Sequence, residues 1–286
     1  MANCTRAGLA LVLSVVFGAL GPSIVRAGDA ASPDPYVASL DRLYDLQDKI
    51  RDIHPAFETL YPVAVIEQGR FFVYVPDPGR RTYDLDKEAA EEFQIPIGVR
   101  AAMPLPFWEN RMACVITPEI FAETGGYAVI FHEFVHCYQW ETCELRLKTS
   151  LRIYKTAMER KDFMWELQYP FPYGDEGIAA DYRAMLEALV TEDEKRADSL
   201  REAIRDRLSP EAWEYMTWQE WKEGTARYLE NEIKARLELP ANWGGLEAPL
   251  TRVSFYAGGE LLIRLLAKKD PRLVRDIEAL YRRIAD

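Results

Sequence analysis

Thr124-Gly125-Gly126-Tyr127-Ala128-Val129-Ile130-Phe131-His132-Glu133-Phe134-Val135-His136-Cys137-Tyr138 lies near the middle of the chain and sets its architecture. Val129, Ile130, Phe131, Phe134, Val135 and Tyr138 make the segment strongly apolar, and Thr124 stands ahead of it as a candidate N-cap. The pattern predicts a helix buried along most of its length. It holds two of the three histidines in the whole sequence, four residues apart, with Glu133 between them. Residues i and i+4 share a helix face, so both imidazoles can reach one ion. Glu133 lies about 100° further round, where its carboxylate reaches a water on the ion instead of the ion itself. Buried imidazoles and a buried carboxylate need partners. A core helix would supply backbone hydrogen bonds; a shared metal accounts for all three residues at once. The spacing predicts a hydrolase that uses a metal-activated water with Glu133 as general base.

Upstream, residues 1–27 read as a signal peptide: Arg6, an apolar run from Ala7 to Leu20, then Val25-Arg26-Ala27 as a small-x-small cleavage site. The run is too short for a confident membrane span, and no later segment approaches that length. The expected product is exported, secreted or periplasmic, with no membrane attachment after cleavage. Net charge is −11 for 286 residues. Losing Arg6 and Arg26 with an acid-free leader makes it −13. That acidity argues against nucleic acid or an anionic membrane surface as partner. Three cysteines remain, Cys114, Cys137 and Cys143. An oxidising compartment would permit one disulfide, more readily through Cys114, because six helical residues separate Cys137 and Cys143 by about 9 Å.

Helical spacing of Leu40, Leu43, Leu46 and Ile50 predicts a helix over 34–53. Residues 63–75 predict a β-hairpin turning at Gln68-Gly69, with extended segments at 95–99 and 111–117. The charged stretch 187–208 predicts one long solvated helix. No Pro/Gly/Ser-rich linker divides the chain, so residues 28–286 form one domain: an α/β part to about 146 and a helical part over 147–286. The class is α+β, a small N-terminal mixed or antiparallel sheet followed by a larger, mostly helical half with the active-site helix between. Met112–Ile116 is a candidate edge strand on which an extended peptide could be laid beside the metal.

Hydrolytic zinc sites use three protein ligands and one open position. His54, ahead of Pro55, reads as a surface or capping histidine. A carboxylate is therefore expected, and two segments offer one: Asp175-Glu176-Gly177-Ile178-Ala179 and Trp221-Lys222-Glu223-Gly224-Thr225-Ala226-Arg227-Tyr228. Both contain Glu-Gly-x-Ala, whose small residues suit close helix contact. At a helix start Glu176 would serve the macrodipole; Glu220, Glu223, Arg227 and Glu230 could equally form a solvated charge stripe.

His132-Glu133-x-x-His136 followed by Trp221-x-Glu223-Gly224-x-Ala226-x-Tyr228 resembles the gluzincin group of zinc metallopeptidases. The likeness covers the two active-site helices. It implies a zincin-like fold, one Zn2+ per chain held by His132, His136 and Glu223, and Glu133 as general base. The interval from His136 to Glu223 is longer than in such enzymes, which keeps Glu176 open. Ser254-Phe255-Tyr256-Ala257-Gly258-Gly259-Glu260 is similar to the family's downstream tyrosine-bearing helix, which implies Tyr256 as oxyanion stabiliser, ahead of Tyr228. Gly258-Gly259 would allow close helix contact or a hinge. The resemblance implies an exported zinc-dependent peptidase acting on peptides or proteins. Two rivals are a catalytically silent binding domain of the same fold and a zinc hydrolase of a non-peptide bond.

Overall fold

Side-chain alternation divides the N-terminal part between two cores. In the computed structural model, which describes residues 34–90 and 95–286, helix α1 (Val37–Ile50) leads into strand β1 (Val63–Glu67). Val63 and Val65 face the main core, and Ala64 and Ile66 a smaller one on the opposite side of the sheet, as a period of two requires. Gln68 and Gly69 both take positive φ, 51° and 73°, which matches the twist of a two-residue hairpin. β2 (Arg70–Asp77) returns antiparallel, and β3 (Thr82–Ala90) pairs with its far side. β4 (Arg100–Leu105) pairs antiparallel with β5 (Arg111–Ile116), which lies parallel to β1. The order is β3-β2-β1-β5-β4.

Helix α2 (Thr124–Gln139) carries the two histidines and packs beside β4 and β5. It runs through a π-helical turn, Trp140–Glu144, into α3 (Leu145–Lys148). The remainder is helical: α4 (Arg152–Glu159), α5 (Trp165–Gln168), α6 (Glu176–Val190), α7 (Glu194–Arg207), α8 (Pro210–Arg236), α9 (Arg252–Lys269), α10 (Pro271–Arg275) and α11 (Ile277–Ala285). The 27-residue α8 is the axle, touching α1, α2, α4, α9 and α11. Ser209 caps it by accepting from the Ala212 N–H, and Pro210 sits at its first position, where no N–H is needed. Its closest neighbour is α9. A Cβ on Gly224 would stand 2.6 Å from the Gly259 Cα, and one on Gly259 would stand 2.0 Å from the Glu220 carbonyl oxygen. Gly224 of α8 therefore serves its contact with α9. Gly259 permits that close contact, and Gly258 makes room for the Tyr182 hydroxyl.

The α+β class and the division into a sheet-bearing part and a helical half are as expected; several details differ. The leader expected over residues 1–27 lies outside the described residues. α1 is shorter than 34–53, yet Leu40, Leu43, Leu46 and Ile50 are buried as their spacing requires. Glu123, not Thr124, is the N-cap of α2, without a side-chain bond. Residues 96–99 form a turn, with the Val99 N–H on the Pro96 carbonyl and Gly98 at φ +90°, so the extended segment begins at Arg100. Its sequence, Arg-Ala-Ala-Met-Pro-Leu, lacks β-branched residues. Met112–Ile116 is not an edge: β5 is flanked on both sides, and β4 carries the outer edge. Pro104, which cannot donate to a ladder, is at home there. The stretch 187–208 breaks at Glu192 (φ 57°), and Asp193 caps α7 by accepting from the Arg196 N–H. Cys114, Cys137 and Cys143 are free and buried in the core, with no disulfide among the described residues, and burial raises all three thiols above their ordinary range. No helix of the described residues is long and apolar enough to cross a membrane.

Candidate metal centre

The i, i+4 spacing on α2 brings the His132 and His136 rings to 5.0 Å between centroids, inclined by 76°. Both present Nε2 to α8. Glu223, in the second half of that helix, places Oε2 3.8 Å from His132 Nε2 and 3.4 Å from His136 Nε2. One ligand atom from each residue lies within 4.8 Å of the others. In a tetrahedral zinc site with bonds of about 2.0–2.1 Å, ligand atoms stand about 3.4 Å apart. The triad is near that spacing, with His132 slightly wide.

The outer ring nitrogens fix what the inner ones can do. His132 Nδ1 lies 3.0 Å from Glu230 Oε2, and His136 Nδ1 lies 2.8 Å from Gln139 Oε1. Carboxylate and amide oxygens only accept, so each Nδ1 carries a proton and donates it. Gln139 is held in this orientation because its Nε2 donates to the Lys222 carbonyl at 3.0 Å. Glu230 is buried and satisfied: its other oxygen takes Lys234 Nζ at 2.6 Å and Asn242 Nδ2 at 3.2 Å. With each Nδ1 proton donated outward, both Nε2 atoms face the Glu223 carboxylate, and the point they share calls for a cation: a proton on His132 Nε2 in the metal-free protein, or a metal ion in its place.

The electrostatics favour positive charge here. Burial alone would lower the His132 pKa, but Glu223, Glu230 and Glu133 outweigh it and push it up to about 10. Burial would raise Glu223, yet His136 and His132 hold it well below the usual carboxylate range. Glu230 follows the same logic through His132 and Lys234, coming down to about 2. The donor set and the field both suit a divalent metal, and the residues present fit one.

Glu133 is buried beside the two rings, one helical position beyond His132. Tyr256, on α9, is half-buried; burial raises its phenol foremost, with the Glu223 and Glu133 charges adding to it, so its hydroxyl lies within electrostatic reach of both. Tyr228 points elsewhere, its ring 5.9 Å from the Arg264 guanidinium carbon. Glu176 is exposed at the first turn of α6, outside the triad. The solvated-stripe alternative for α8 does not hold, since Glu220, Arg227 and Glu230 are buried. His54 is a cap, as expected, but not a surface one. Its Nδ1 accepts from the Ala56 N–H at 3.1 Å, its Nε2 faces the Val274 carbonyl at 3.0 Å, and burial lowers it to about 4. Gln139 and Glu230 were not among the sequence candidates. Their signal was spacing: Gln139 lies three residues after His136, and Glu230 lies two turns after Glu223 on the same face.

The chain matches no family model, no curated protein and no solved structure.

Proposed function

We propose that this protein is an exported, zinc-dependent peptidase of gluzincin type, with a zincin-like fold. The observation that supports it most is the convergence of His132 Nε2, His136 Nε2 and Glu223 Oε2 on one point, with Glu133 at the adjoining helical position. His132, His136 and Glu223 would hold the ion. When bound, zinc would polarise a scissile carbonyl and acidify a water at the open position.

The chain's own residues then do the following. Glu230 and Gln139 fix the histidine tautomers and ring planes. Glu133 accepts the proton of the attacking water as its oxygen bonds to the carbonyl carbon. The same carboxylate delivers that proton to the amide nitrogen as the C–N bond breaks, leaving an acid and an amine. Tyr256 donates its hydroxyl hydrogen to the oxyanion that develops between these steps; its raised pKa keeps that hydrogen in place at neutral pH. The edge strand β4, packed beside α2, offers backbone groups to an extended peptide.

Glu133→Gln is the test. The variant should retain zinc at the wild-type stoichiometry and lose roughly 100-fold or more in cleavage of a mixed peptide library. Unmodified protein that holds zinc but cleaves no peptide would favour a silent binding domain. Cleavage of esters or amide-linked glycans instead of peptides would favour the non-peptide hydrolase.

A further inference from the structure

Two arginines beside this site lack the partner that arginines withdrawn from solvent normally have. Arg227 lies one turn after Glu223 on α8 and is 6% exposed. One of its terminal nitrogens donates to the Gly244 carbonyl at 2.9 Å, but its buried Nε has no hydrogen-bond partner among the described residues. Arg252 opens α9, one turn before Tyr256, and is half-buried. Both guanidinium groups lie against the Tyr256 ring, their carbons 5.7 Å and 5.4 Å from its centroid. Neither makes an ion pair with a carboxylate among the described residues, although acidic residues outnumber basic ones 46 to 35 in the chain. The other arginines of the described residues are exposed or, like Arg201 and Arg264, paired with a glutamate.

Two cations sharing one aromatic ring repel each other, and an orphaned buried N–H costs free energy. Both costs fall if a ligand brings an anion between them. A carboxylate fits best, because guanidinium forks bind it through paired hydrogen bonds. The four residues from Glu223 to Arg227 rise about 6 Å along the helix, which an extended peptide covers in about two residues.

We infer that Arg227 and Arg252, gathered at the Tyr256 ring, form a carboxylate-binding subsite that selects peptides bearing a free carboxylate within one or two residues of the bond cut. The carboxylate is the peptide's own C-terminus or an Asp or Glu side chain. The inference rests on the peptidase reading for the reaction, but the anion site is testable without turnover.

The probes are matched synthetic peptides: one ending in a free acid, its C-terminal amide, and an amide with Glu next to the central bond. Binding to zinc-loaded Glu133→Gln protein is followed by tryptophan fluorescence, and cleavage by the unmodified enzyme in parallel. A carboxylate-bearing peptide should bind roughly ten- to a hundredfold tighter than the plain amide, the range expected for a charged hydrogen-bonded contact. Preference for the free acid identifies the terminal carboxylate; preference for the Glu-containing amide identifies a side chain. Adding Arg252→Gln, a substitution at the half-buried helix start, should collapse the acid-to-amide ratio towards one; Arg252→Lys should restore part of it. Equal binding of all three peptides, or a ratio untouched by Arg252→Gln, overturns the subsite. Failure of cleavage alone overturns the peptidase reading and leaves the binding ratio to decide the subsite.

Discussion

Glu176-Gly177-Ile178-Ala179 and Glu223-Gly224-Thr225-Ala226 share a tetrapeptide pattern and meet different fates. The first opens α6 at the surface. Asp175 caps it by accepting from the Ile178 N–H at 2.9 Å, and Glu176 faces solvent at the positive end of the helix dipole. The second lies inside the longest helix, seated between the histidine-bearing α2 and the glycine face of α9. The glycines differ in the same way. A Cβ at Gly177 meets only side-chain atoms, Arg207 Nη1 at 3.1 Å and Asp175 Oδ1 at 3.2 Å, whereas one at Gly224 meets α9 backbone. Local sequence allows a carboxylate beside a small residue; the surrounding helices decide whether that carboxylate meets the two histidines.

The sharpest way to break this contrast is to exchange the two carboxylates for amides. Glu223→Gln should weaken zinc binding by more than the roughly 10–100-fold that an outer-shell change costs, read by competition with a chelating dye. Glu176→Gln should leave it within about twofold. Next come the residues behind the rings. Glu230→Gln and Gln139→Ala should each lower zinc affinity by about 10–100-fold in the same titration, since each loosens a histidine and not the metal directly. The glycine contrast is read as stability. Gly224→Ala should cost about 1–3 kcal/mol through overpacking, lowering Tm by about 2–4 °C per kcal/mol for a protein of this size. Gly177→Ala should leave Tm unchanged or raise it slightly, because alanine is the better helix former.

The last effect is pH-dependent. The His132 pKa, raised from 6.5 to about 10 in the metal-free protein, lies above its unfolded value. Its contribution to stability is thus complete below about 6.5 and is lost as pH rises through about 10. Metal-free protein should therefore lose thermal stability between pH 6.5 and 10, while zinc affinity rises over the same window as the competing proton leaves. Glu223→Gln should flatten that slope and Glu176→Gln should not.

Much of this was legible because the chemistry is local. His132, Glu133 and His136 occupy one helical turn and a half, so their relation follows from helix geometry. The hairpin at Gln68-Gly69 was legible for the same reason, its turn being encoded by the residues that form it. What escaped notice depends on distant partners. β4 is a strand because β5 offers it a ladder, not because Ala101, Ala102 and Pro104 favour extension. β3 buries only Tyr83, carries four charged residues and is held by β2. Glu230 looked like one more surface charge until the fold set it against His132 Nδ1, and the break at Glu192 depends on one residue taking the left-handed conformation.

Zinc K-edge X-ray absorption on protein purified without chelators tests the centre most directly. The geometry predicts one zinc per chain with two imidazole nitrogens and one or two oxygens at about 2.0–2.1 Å. Metal-free protein that takes up none when offered, or a sulfur neighbour at about 2.3 Å, would contradict it.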